Sequence, residues 1–159
     1  MNDGGITARR ARYDGCGETA GTTDITTQDC VRLLRNSTVG RLGVTDRAMP
    51  LILPVHFTVH NDWVVIRTSM DGRMAEASRN NVVAFEVDET DVGTGGGWSV
   101  VVVGYANLID HGARYEVLSA LDLPAWAPGH RDGFIVIKME RVSGRRLVFV
   151  AESGTGIRT

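Results

Sequence analysis

At Val39 the hydrophobic pattern of this chain changes period, and that change limits what the chain can fold into. Ahead of it, Cys30, Val31, Leu33 and Leu34 recur at helical spacing behind Thr26 and Thr27, either of which can cap a helix ending near Asn36. Beyond it the period is two. Val39 to Thr45, Leu51 to Val59 and Trp63 to Thr68 read as strands, separated by turns at Asp46 to Pro50 and at His60 to Asp62. Successive hairpins of this kind make an antiparallel meander. A short helix is expected over Asp71 to Asn80, then strands at Val82 to Val87 and Trp98 to Leu108, and a helix from Ala113 to Leu121. A Pro/Trp/Gly loop around Trp126 precedes the last strands, Phe134 to Arg141 and Arg146 to Val150. The prediction is a mainly β (α+β) domain, a six- to seven-stranded antiparallel barrel with short peripheral helices rather than alternating βαβ units.

The 159 residues suit one domain. Residues 1–23 are rich in Gly, Thr, Arg and Asp and poor in large apolar side chains, so they are expected to be a mobile tail. The domain is expected over 24–151, with a flexible end at 152–159. Seventeen basic against nineteen acidic residues leave a net charge of −2, which argues against a general nucleic-acid binder but not against a small anionic ligand. Cys16 and Cys30 do not form a disulfide framework or a zinc site. With no long apolar run and no signal-peptide pattern, a cytoplasmic protein without membrane contact is the expectation.

Several chemistries lack their motifs. The glycines from Gly93 to Gly97 open a strand, not a helix, and Trp98 stands where a dinucleotide fingerprint needs its last glycine. His56, His60, His111 and His130 have no metal-ligand spacing, so no metal is expected, and no serine sits in a G-x-S-x-G elbow. His56, within a strand, suits a structural role better than proton transfer. Arg67 and Thr68 end an apolar strand, and Arg73 opens the following helix. Guanidinium forks there can meet phosphate oxygens in bidentate fashion. Surface charges would explain both arginines equally well.

The order of elements and several local motifs resemble the pyridoxamine 5'-phosphate oxidase-like family of FMN-binding split-barrel proteins, over about Asp24 to Val150. The motifs are Val39-Gly-Arg-Leu42, Leu53-Pro-Val-His-Phe57, Ile66-Arg-Thr68 with Gly72-Arg73, Asn81-Val-Val-Ala-Phe85, Gly97-Trp-Ser-Val-Val-Val-Val-Gly104-Tyr-Ala106 and Val142-Ser-Gly-Arg-Arg-Leu147. The resemblance implies a split barrel and FMN, with the phosphate held by Arg67, Thr68, Ser69 and Arg73. Met74 replaces a second basic residue found in many relatives. The ring would lie against Pro54, Val55, His56 and Phe57, with Trp98 and Ser99 on the long central strand. It also implies a homodimer with the flavin at the interface. Apolar Val100 to Val103 stands where true pyridoxamine 5'-phosphate oxidases carry basic residues for the substrate phosphate, so vitamin B6 oxidation is not expected. The implied activity is a flavin-dependent oxidoreductase acting with small-molecule electron donors or acceptors, with no catalytic residue assigned beyond His56 as a candidate acid or base. The alternatives are a non-catalytic flavin-binding sensor and a reductase using the deazaflavin F420 on the same fold.

Overall fold

The computed structural model describes residues 18–91, 93–123 and 132–151. Within them the chain runs β1 (Glu18–Ile25), α1 (Thr27–Arg35), β2 (Val39–Asp46), β3 (Met49–His56), β4 (Thr58–His60), β5 (Trp63–Thr68), α2 (Arg73–Ser78), β6 (Val82–Thr90), β7 (Gly97–Ile109), α3 (Gly112–Ser119), β8 (Gly133–Lys138) and β9 (Arg141–Ala151). All strand pairs are antiparallel, in the order β3-β2-β6-β7-β8-β5-β4, with β9 added to β7 and β1 to β9. The sheet curls into a half-barrel whose two end strands, β3 and β4, are joined only by Phe57.

That residue explains part of the difference between the expected six or seven strands and the nine observed. Leu51 to Val59 reads as one strand in the sequence. The Phe57 amide, however, donates to the Thr38 carbonyl at 3.1 Å, so the chain breaks there. β3 stays with β2, and β4 crosses to β5. The other difference is β1, which corrects the expectation of a mobile tail up to residue 23. Glu18 to Ile25 pairs along its whole length with β9, from Glu18 opposite Ala151 to Ile25 opposite Gly144. Residues 1–17 and 152–159, His130 and the Trp126 loop lie outside the described residues.

Strand β7 is the spine. β6 lies along one edge; along the other, Gly97 to Val103 pairs with β9 and Ala106 to Ile109 with β8. Gly104 sits at the changeover, where a Cβ would overlap the Lys138 carbonyl, so no other residue lets the two strands approach this closely. The main core fills the concave face with Leu34, Leu42, Phe85, Val100, Val102 and Ile137. Phe57 packs edge-on against Phe85, centroids 4.6 Å apart. α1 begins as read from the sequence: the Thr26 hydroxyl accepts from the Asp29 amide at 3.2 Å, and Asn36 closes the other end. No described helix is long and apolar enough to cross a membrane.

Candidate functional site

The residues singled out from the sequence fall into two groups, set by the alternation of strand faces. The first group surrounds the turn after β5. Thr68 is buried on the core side, 3% exposed, with its hydroxyl donating to the Ser69 carbonyl at 3.2 Å. Arg67 points to the other face, its guanidinium 5.5 Å from the ring centre of Phe134, its cross-strand partner. The turn is closed by the Gly72 amide donating to the Ser69 carbonyl at 3.2 Å, and Gly72 leaves the first turn of α2 without a side-chain cap. Arg73 does not fold back over that turn. Its Nε donates to Asp46 Oδ2 at 3.0 Å, with Nη2 on the same oxygen, and its side chain is 73% exposed.

Two residues that the sequence did not single out hold this turn in place. The Met70 amide donates to Asp132 Oδ1 at 2.9 Å, and a Cβ at Gly133 would strike the Met70 side chain. Neither carried a sequence signal, because both act on a turn far earlier in the chain, 62 positions before Asp132.

The second group lies along β3 and β7 and is divided between the two faces of the sheet. Pro54 and His56 alternate with buried Val55 and Phe57, so only the first pair presents side chains outward. His56 Nδ1 is 3.3 Å from the Thr38 carbonyl. Pairing of Thr58 with Val65 directs the residues just before it toward Ile66 and Arg67, and β3 packs against β5. The first group and the Pro54–Phe57 segment therefore adjoin.

Ser99 shares the convex face, between its partners Asp88 on β6 and Arg145 on β9. Asp88 in turn pairs with Arg41 of β2. Three strand spacings separate Ser99 from His56, about 14 Å at roughly 4.8 Å each. A cavity of about 340 Å³ beside Ser99 is lined partly by Gly97, Asp88, Arg145 and Leu147. Trp98 turns the opposite way, against the main core, with its indole N–H donating to Glu89 Oε2 at 3.1 Å. Of the Trp98–Ser99 pair, only Ser99 presents its side chain on the face of Pro54 and His56.

The valine run also alternates. Val100 and Val102 are fully buried, whereas Val101 and Val103 are half-buried on the convex face. Arg141 stands beside Val103, as Arg145 does beside Ser99, so this face has basic charge next to the run that itself has none. Glu86 faces Val101 from the other side, so the run has charge of both signs beside it. No group of metal-binding side chains occurs among the described residues.

A family model described as pyridoxamine 5'-phosphate oxidase matches residues 26–146. The chain belongs to this family. It is 34% identical over 128 residues to the uncharacterized protein Rv0080 of Mycobacterium tuberculosis, covering 76% of this chain and 82% of that protein. A proposed pyridoxamine 5'-phosphate oxidase from Corynebacterium glutamicum superposes with a TM-score of 0.71 at 26% identity, over 82% of this chain and 96% of the other. An FAD binding protein from Mycobacterium smegmatis gives 0.61 at 28% identity, over 79% and 97%. The split-barrel architecture expected from the sequence is thus the family's own.

Proposed function

We propose that the protein binds FMN and serves as a flavin-dependent oxidoreductase on a small-molecule acceptor. The observation that carries this reading is the junction of β3, β4 and β5, which sets the Pro54–Phe57 segment against the Arg67–Arg73 turn. A flat ring and a phosphate belonging to one molecule would need such neighbouring segments. Support for a flavin also comes from the family and from the FAD binding relative.

The donor set suits a phosphate ester. Arg67, the Ser69 hydroxyl and the Arg73 N–H groups not used on Asp46 supply donors, and charge-assisted bonds to phosphate are the strong kind. Thr68 would have to turn its hydroxyl away from the Ser69 carbonyl to join them. Pro54 and His56 offer side-chain surface, Val55 and Phe57 backbone only. The bound flavin supplies electron or hydride transfer; the chain binds, orients and shields it.

A second copy on the convex face completes this reading. Ile52, Val82 and Tyr105 are 68%, 54% and 54% exposed there, beside half-buried Val101 and Val103. Apolar exposure of that kind marks an interaction surface. A flavin lying between His56 and Ser99 would then sit at the interface of a homodimer.

The turn of His56 Nδ1 onto the Thr38 carbonyl favours one other reading, a flavin-binding protein without turnover. The decisive measurement is the visible spectrum of the purified protein, followed by identification of what it releases on heating. FMN supports the proposal, whereas FAD or a deazaflavin replaces the cofactor. A colourless protein that takes up no FMN at micromolar concentration overturns it. Reduction by a nicotinamide cofactor and reoxidation by added acceptors then separates enzyme from sensor.

A further inference from the structure

The outward face of β5 and β8 carries a second cavity that the flavin reading does not use. Trp63 and Val65 project from this face, together with their cross-strand partners Lys138 and Val136. α3 lies over them, anchored by buried Leu118 and by Tyr115, whose ring is 5.6 Å from that of Phe134. Between helix and sheet remains a cavity of about 260 Å³, with Trp63, Val65, Val117, Leu118 and Val136 as its apolar walls. The Phe134–Tyr115 pair stands between it and Arg67, which lies over Phe134 on the side of the turn.

The polar lining is neutral or basic. His60, Asn61 and Arg114 reach the cavity, and among the described residues no carboxylate lines it. The Arg114 guanidinium lies over the Trp63 ring, 4.2 Å from its centre, and among the described residues it pairs with no carboxylate. Lys138 shares the face of Trp63, and Arg35 Nη2 donates to the Asn61 carbonyl at 3.3 Å. The guanidinium held over the indole offers a fork to a carboxylate, and the aliphatic walls offer apolar contact to a flat ring. The volume falls just below the ~300–1,000 Å³ usual for drug-sized ligands, so a single ring is the fitting size.

We propose that this cavity is a binding site for a small aromatic carboxylate, distinct from the flavin site. Benzoate is the probe and benzamide its uncharged match, titrated into the full-length protein with the indole N–H resonances followed by NMR. Benzoate should shift the Trp63 signal saturably, with benzamide at least tenfold weaker. Arg114→Met keeps an apolar stem over Trp63 but removes the fork, and should erase the advantage of benzoate. Val117→Trp fills the mouth from an exposed position, and should abolish binding of both probes while flavin content and melting temperature stay unchanged. Shifts that never saturate, benzamide binding as tightly as benzoate, or an unchanged benzoate affinity in both variants overturns the proposal. Loss of flavin on filling the cavity would also overturn it, because the two sites would then be one.

Discussion

The turn after β5 and the tip of the β6–β7 hairpin are both short, polar and close to candidate site residues, yet they are held in opposite ways. The turn is fixed from a distance. Asp132 takes the Met70 amide, Gly133 leaves room for the Met70 side chain, and Asp46 takes Arg73 from 27 positions away. The tip holds itself. The Asp91 carboxylate accepts from the Gly93 amide at 2.9 Å, the Thr94 amide at 3.4 Å and the Thr94 hydroxyl at 2.8 Å, and the Asp91 amide donates to the Gly96 carbonyl at 2.8 Å. A turn built the first way keeps its polar groups in place only while the barrel is intact. The tip can change without the barrel noticing.

The largest expected effect tests what the turn is for. Arg67→Ala combined with Arg73→Ala removes two charge-assisted contacts, each worth roughly 1.5–3 kcal/mol, with the exposed Arg73 at the low end. FMN titration should show affinity falling by several kcal/mol while the melting temperature barely moves. Unchanged affinity would remove the phosphate from this turn. Next in size is Gly133→Val, which drives a branched side chain into Met70. Overpacking of this sort costs about 1–3 kcal/mol. The urea midpoint should drop at constant slope, and flavin content with it. If both stay at the wild-type value, the turn is not clamped by β8 and the contrast with the tip disappears.

The same contrast explains what the sequence disclosed. Features written within a few residues were legible: the Thr26 cap, the β2–β3 and β4–β5 turns, the glycine-rich tip as a connector rather than a dinucleotide loop. Features that depend on a distant partner were not. Glu18 to Ile25 has threonines and glycine but little apolar surface, and it becomes a strand because β9 offers its edge along the whole length. The bend at Phe57 arises because Thr38 captures its amide. That Arg67 and Thr68 end a strand and Arg73 opens the next helix was legible. Their arrangement was not, since Asp46 and Phe134 decide where the two guanidinium groups point. The turn at residues 47 and 48 was placed by its flanking strands alone; Arg47 and Ala48 adopt positive φ of 48° and 65° without the glycine or asparagine that usually marks such a turn.

The smallest effect belongs to the tip and has a definite sign. Hydrogen bonds from the Thr94 hydroxyl, and then from the Gly93 and Thr94 amides, hold the Asp91 carboxyl below its ordinary value of 3.8. A carboxyl with a lower pKa folded than unfolded favours the native state above its unfolded value, and that contribution fades as pH falls through the folded one. Acid should therefore loosen the tip only below about pH 4, where the unfolded carboxyl begins to bind its proton. Asp91→Asn should remove that pH dependence and leave the barrel's midpoint and its flavin content as they were. An NMR titration of the Asp91 carboxyl against the Gly93 and Thr94 amides reads this directly. If the tip instead loosens at neutral pH, or if Asp91→Asn changes the flavin content, the hairpin end is coupled to the barrel, and Ser99 would then be where that coupling reaches the convex face.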